Sequence, residues 1–279
     1  MRVHSIQLGY GDDESMPDRI ARAAALVRQQ AGADLIVLPE LWAPGGFSYR
    51  SWLERAQTTA GEIVAAIAES ARAVGAYVHA GSIIEYPEDA ESPNGYPSDG
   101  QPVPDGERRL WNTSILLDPS GKVVARYRKI HRFGFGAGEP KLLDAGTDIV
   151  TVPIAVDGRE VMLGLATCYD LRFPELFRAL LDKGAEVVII PAAWPAARVD
   201  HWSLLARARA IEDFVAVVAV NTAGTHSGVE MGGHSVTVAA DGTILAEAGP
   251  DEAILEASID IAAIHARREN FPALSDRRL

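Results

Sequence analysis

A single cysteine in 279 residues excludes any intramolecular disulfide and the disulfide-stapled class of secreted domains, so a reducing, cytoplasmic setting is expected. Positive charge is scarce as well. Lys and Arg number 26 against 38 Asp and Glu, and the formal charge of −12 has the wrong sign for binding nucleic acid. Apolar runs end at a charge, a Gly or a Pro after a few residues, far short of the roughly 20 needed to cross a bilayer. The opening MRVHSIQLGYGDDES turns polar too early for a signal peptide. His and Cys show no HExxH or CxxC spacing, so neither a metal site nor a cofactor is expected. The segment GFGAGE (134–139) has the glycines of a phosphate loop but lacks the Lys-Ser/Thr pair and a following helix, and reads better as a loop delivering Glu139. No GxSxG elbow occurs. These exclusions leave a protein acting on a small molecule.

What is present is a chain that is 48% hydrophobic, enough for a large core within one domain spanning residues 1–279. Val- and Ile-rich runs read as ten strands: HSIQLGY, ADLIVLPE, AYVHAGSIIEY, WNTSILLD, KVVARYRK, VMLGLATCY, AEVVIIPAAW, FVAVVAVNT, HSVTVAA and TILAEAG. Between them, apolar residues recur at helical spacing in 17–31 (Ile20, Ala23, Ala24, Val27), at Ile63, Ile67, Ala71 and Val74, and at Leu204, Leu205, Ala208 and Ile211. ADLIVLPE resembles AEVVIIPA, and LLDPSGKVVA resembles VAADGTILAE, which suggests an internal duplication. Two such halves stacked sheet on sheet predict a four-layer αββα sandwich. The first half is longer because of an acidic, Pro/Gly-rich insertion at 86–109, expected to be a solvated loop.

Three polar residues stand where strand patterns end. Cys168 follows VMLGLAT and precedes a helix starting near Pro174, a turn that holds a nucleophile beside backbone N–H groups able to bind an oxyanion. A lone cysteine is equally at home as an inert buried thiol. Glu40 ends DLIVLPE, where desolvation would make a carboxylate a better base, unless it is a surface residue in a turn. Lys129 closes KVVARYRK, where its charge could stabilise an oxyanion and favour a thiolate, although Arg126, Arg128 and Arg132 beside it also suit a solvated basic face.

Taken in order, LIVLPELW, YRKIHRF and CYDLRFPELFR resemble the three motif blocks of the nitrilase superfamily, the carbon–nitrogen hydrolases, over nearly the whole chain. The branch most resembled contains omega-amidases. The resemblance implies an αββα fold that forms homodimers or higher homo-oligomers, with Cys168 as nucleophile, Glu40 as general base and acid, Lys129 as oxyanion stabiliser and Glu139 as a second glutamate beside them. It further implies an amide substrate, with Tyr169, Arg172, Arg132 and Trp194 as substrate-binding residues. His131-Arg132-Phe133 departs from the usual HLF and adds a charge near the site. Arg172 could hold a substrate carboxylate or brace its turn against Asp170 or Glu175. Hydrolysis of N-carbamoyl amino acids or nitriles, and a catalytically silent scaffold, are the competing readings.

Overall fold

The computed structural model describes residues 1–89 and 106–278. The expectation of a solvated loop at 86–109 falls mainly on residues outside that set. One sheet contains β1 (Arg2–Gln7), β2 (Leu35–Val37), β3 (Tyr77–Glu85), β4 (Trp111–Leu117) and β5 (Val123–Arg128). The other contains β6 (Thr151–Val156), β7 (Arg159–Leu165), β8 (Val187–Pro191) and β9 (Ala216–Val220). A small hairpin, β10 (Thr225–His226) and β11 (Val229–Glu230), precedes its last strands, β12 (Val236–Val238) and β13 (Ile244–Glu247). β14 (Ala253–Ser258) then returns to the first sheet. The helices are α1 (Met16–Arg28), α2 (Glu62–Val74), α3 (Glu139–Leu142), α4 (Pro174–Asp182), α5 (Val199–Asp213) and α6 (Ile261–Asn270).

The strand orders are β14-β1-β2-β3-β4-β5 and β13-β12-β9-β8-β7-β6. Each sheet has three parallel strands in a row, β1-β2-β3 and β7-β8-β9, continued by an antiparallel pair and preceded by one antiparallel strand. The repeat expected from sequence is therefore a structural one. β2 matches β8, and β4-turn-β5 matches β12-turn-β13, down to a register shift at Leu116/Leu117 in one and Thr237/Val238 in the other. Val3, Leu35 and Val37 face the second sheet in a core shared with Leu163, Leu165 and Val187. Their neighbours Ile6, Ile36 and Leu38 pack instead with Ile20, Ile63 and Ile67 of α1 and α2. This alternation, which the period of two along a strand requires, makes four αββα layers, with α4 and α5 on the far face.

The helices start and stop for local reasons. Ser15 caps α1 by accepting from the Asp18 N–H, a contact worth about 1 kcal/mol. Gly75, at φ 69°, ends α2 in the left-handed conformation that a side chain disfavours. Four strands escape the sequence pattern, the two of the small hairpin β10-β11 and the edge strands β6 and β14. β6 carries Pro153, tolerable because β6 is an edge strand, and β14 at the opposite sheet's edge has mostly exposed or half-buried residues. The expected inner face of α5 is also corrected. Leu204 and Ile211 are 68% and 43% exposed, while Trp202, Ala206, Arg209, Ala210 and Asp213 face inward. Small alanines let the helix approach the sheet, and buried Arg209 donates to the Leu171 carbonyl, so its inward face is not its most apolar one.

Candidate active site

The carboxyl ends of parallel strands are where open α/β sheets gather functional groups. Glu40 lies just past β2, Lys129 just past β5, Cys168 just past β7, and Ala193 and Trp194 just past β8. β4 runs the other way, so its second residue, Asn112, reaches the same edge, and the Lys129 N–H bonds the Asn112 carbonyl at 2.8 Å. The turn at Glu40 is clamped to an irregularity in β3. Leu41 N–H donates to Ser82 Oγ at 3.1 Å and Trp42 Nε1 to the Ala80 carbonyl at 2.9 Å. Gly81 is required there because a Cβ would come within 1.9 Å of the Pro39 carbonyl oxygen.

Cys168 has φ 48°, a conformation that costs a non-glycine residue of order 1–3 kcal/mol and persists only where its surroundings enforce it. Fully buried Asp170 does so. It accepts from the Thr167 N–H (2.9 Å), Tyr127 OH (2.6 Å) and the His131 N–H (3.0 Å), and pairs with His131 Nδ1 at 2.7 Å. The turn bearing Cys168 is thus fastened to the loop bearing Lys129.

Glu40, Lys129, Glu139 and Cys168 are 3%, 2%, 3% and 7% exposed and share one cavity. Lys129 Nζ lies 2.8 Å from Glu40 Oε1 and 3.0 and 2.9 Å from the two oxygens of Glu139. Asn112 Nδ2 donates to Glu40 Oε1 at 2.7 Å and Glu139 Oε1 at 2.8 Å, and the Ala193 N–H to Glu40 Oε2 at 2.8 Å. Phe133 N–H donates to Glu139 Oε2 at 2.5 Å. A carboxylate offers about four lone-pair sites. Glu139 fills its four with Asn112, Phe133 and both contacts to Lys129. Glu40 fills three, which leaves one site free in the cavity it shares with the Cys168 thiol.

Burial works against charge on Lys129, but the Glu139 and Glu40 carboxylates outweigh it and hold the ammonium protonated well above the usual lysine range. Burial, followed by Glu40, pushes the Cys168 thiol well up. The thiolate-favouring field expected of Lys129 is present but overruled, so the resting sulfur carries its proton. Desolvation likewise raises the Glu139 carboxyl. Tyr49, against the same cluster, is pushed up to about 12 by burial.

The cavity, about 390 Å³ when the space open to solvent is counted in, is lined also by Gly46, Tyr49, Trp52, Phe133, Tyr169, Arg172, Trp194 and Arg198. Tyr169, Arg172 and Trp194, the expected substrate-binding residues, thus line the same cavity as the buried cluster. Arg132 is not among the lining residues. Its guanidinium donates to the Leu143 carbonyl at 2.8 Å, closing the loop that holds Glu139. GFGAGE is followed by a one-turn helix, α3, that begins at Glu139. Arg172 forms neither expected brace. Asp170 is occupied as above, and Arg172 meets His201 Nδ1 at 3.2 Å and stacks over Trp194 at 4.7 Å. Asn112, Tyr49 and Arg198 were missed. A polar residue opening the strand WNTSILLD was the one available signal for Asn112.

Asn112 lowers the Glu139 carboxyl by donating to it. Replacing it with Leu is expected to raise that carboxyl further and move the acidic limb of the kcat/KM profile to higher pH. A pH-rate profile checks this, and a uniform loss with an unmoved limb would reduce Asn112 to packing.

The carbon–nitrogen hydrolase family model matches residues 2–269. A 2-oxoglutaramate amidase of Paenarthrobacter nicotinovorans is 44% identical over 99% of this chain and 89% of its own. Omega-amidase NIT2 of Homo sapiens is 31% identical over 99% and 95%. Among solved structures, a CN-hydrolase superfamily protein of Xanthomonas campestris superposes with TM-score 0.82 at 26% identity, covering 100% of this chain and 97% of that one. Nit3 of Saccharomyces cerevisiae, a nitrilase superfamily member, gives 0.80 at 28% identity over 100% and 97%. With a match over nearly its full length and a buried carboxylate, ammonium and thiol gathered in one cavity, the chain belongs to the carbon–nitrogen hydrolases of the nitrilase superfamily.

Proposed function

We propose that this hydrolase cleaves the amide of a small carboxylated substrate to acid and ammonia through a thioester on Cys168. The observation that carries the chemistry is the unequal filling of the two glutamates. Glu40 keeps a lone-pair site for the thiol, whereas Glu139 is saturated. Glu40 is the base and Glu139 the brace of Lys129. Lys129, held as ammonium, cannot accept the proton.

Glu40 takes the Cys168 proton as sulfur attacks the carbonyl carbon, and the C=O π pair moves to oxygen. Negative charge then leaves Glu40 and appears on the oxyanion, so the charge facing Lys129 is conserved. As Glu40 is neutralised its hold on Nζ weakens, freeing an N–H to meet the oxyanion together with the backbone N–H of Tyr169. When the C–N bond breaks, Glu40 returns its proton to the leaving nitrogen and ammonia departs. A water then gives a proton to Glu40 and attacks the thioester. The C–S bond breaks, sulfur regains the proton, and the acid is released.

A carboxylated amide is supported by the relatives named 2-oxoglutaramate amidase and omega-amidase. Ammonia release from a panel of carboxylated amides, neutral amides, N-carbamoyl amino acids and nitriles tests the reading. Carboxylated amides are expected to give the highest kcat/KM. Faster turnover of carbamoyl compounds with release of carbon dioxide, or of nitriles, would replace it.

The 279 residues are read as one catalytic domain in a cytoplasmic setting. Among the described residues no helix is long and apolar enough to cross a membrane. A homodimer is supported by Leu204 and Ile211, exposed and two helical turns apart on α5.

A further inference from the structure

The turn that bears the nucleophile contains a carbonyl that the turn itself leaves without a partner. Cys168–Arg172 is a 3₁₀ turn, in which the Leu171 carbonyl would take the N–H three residues on, and that residue is Pro174, which has none. Leu171 is fully buried, so water does not serve it either. The bond comes from 38 positions away: Arg209, on the inward face of α5, donates to this carbonyl through both Nε at 3.2 Å and Nη2 at 2.9 Å.

Arg209 is itself held in place for this contact. It is buried, its guanidinium lies 5.2 Å over the ring of Phe177 on α4, and its Nη1 donates to Glu212 at 2.5 Å, one turn further along α5. A planar fork fixed on both flanks loses little freedom by gripping a carbonyl. The turn is therefore fastened at two points. Asp170 grips its leading end through the Thr167 N–H, against which Cys168 sits, and Arg209 grips its trailing end at Leu171. Tyr169 lies between the two. Its N–H is the backbone donor read above as meeting the oxyanion, and the worth of such a donor depends on its aim, because the bond strengthens only as charge develops on the substrate oxygen.

We propose that Arg209 is a positioning residue for the hydrolysis, aiming the Tyr169 N–H at the oxyanion by holding the Leu171 carbonyl. Arg209 is not among the residues lining the cavity, so it acts through the turn. This rests on the Cys168 thioester reading above and adds the residue that sets its oxyanion donor.

Three variants, each measured well below its Tm, test the role. Arg209→Met is expected to lower kcat roughly tenfold to a hundredfold with KM little changed, as for an interaction made only in the transition state. Alkylation of its Cys168 by iodoacetamide is expected to keep the wild-type rate, because sulfur there displaces iodide from a saturated carbon and no oxyanion forms. Glu212→Gln removes the ion pair but spares the bonds to Leu171, and is expected to keep the wild-type kcat. Arg209→Lys keeps the charge without the two-pronged contact, and is expected to recover only part of kcat. It decides alone if the methionine variant does not fold. Wild-type kcat in either folded Arg209 variant, alkylation that falls as far as kcat, or an equal loss in Glu212→Gln overturns the positioning role and leaves the thioester reading standing. Wild-type turnover that survives complete alkylation of Cys168 overturns both.

Discussion

Cys168→Ala is expected to lower kcat by about 10⁵- to 10⁶-fold, the scale seen when a covalent nucleophile is removed. Its effect on folding is expected to be small. The side chain is neutral at rest, makes no salt bridge, and leaves behind only the volume of one sulfur. Alanine also inherits the same positive φ, so no new backbone strain arises. A loss of about 1 kcal/mol would lower Tm by roughly 2–4 °C. Ammonia release and thermal unfolding of the variant check the two halves separately. Substantial turnover by the alanine protein would remove the nucleophile assignment, whereas gross unfolding would make the activity loss uninformative about chemistry. The high thiol pKa adds a further expectation. Alkylation by iodoacetamide should be slow near neutrality and depend on Glu40 as base, because little free thiolate is present.

The second large effect concerns Glu40 and Lys129 as a unit. Glu40→Gln and Lys129→Met are each expected to cost several orders of magnitude in kcat, and the double variant little more than the worse single. Proton transfer and oxyanion binding belong to one charge movement, so once either fails the other has nothing left to stabilise. Stability should follow a different order. Two buried carboxylates share one ammonium, so Lys129→Met leaves both uncompensated at a cost of about 3–5 kcal/mol. Removing Glu40 as well restores the original net charge of the cluster. The double variant is therefore expected to be more stable than Lys129→Met alone. Denaturant unfolding of all four proteins closes the cycle, and simple additivity in both kcat and stability would argue against a shared cluster.

By itself the sequence determined the local facts about this protein. Strand runs, helix faces such as Ile20-Ala23-Ala24-Val27, and the match of 33–40 with 185–192 were legible because each depends on the period of one segment and on which side of it is buried. The αββα layering followed from their order, and Glu40, Lys129 and Cys168 stood out because a polar residue at the end of an apolar strand is costly without a purpose. Where the family motifs were short and fixed, as at CYDLR, neighbouring lining residues were legible too.

Tertiary structure alone decided what those residues touch. Glu40 meets Asn112, Lys129 and Ala193 across 72, 89 and 153 positions of chain. No local period encodes which of its lone pairs remains for the thiol. Arg132 and Arg198 illustrate the same limit. Each is a cation near a motif, yet the first is drawn to a carbonyl in its own loop and the second lines the cavity. The α5 face turned on packing distance rather than hydropathy, since alanines beside a sheet allow closer approach than leucines. Even the charge state of Cys168 was decided this way, by the stacking of two sheets that removed water from it and left a carboxylate beside an ammonium as its surroundings.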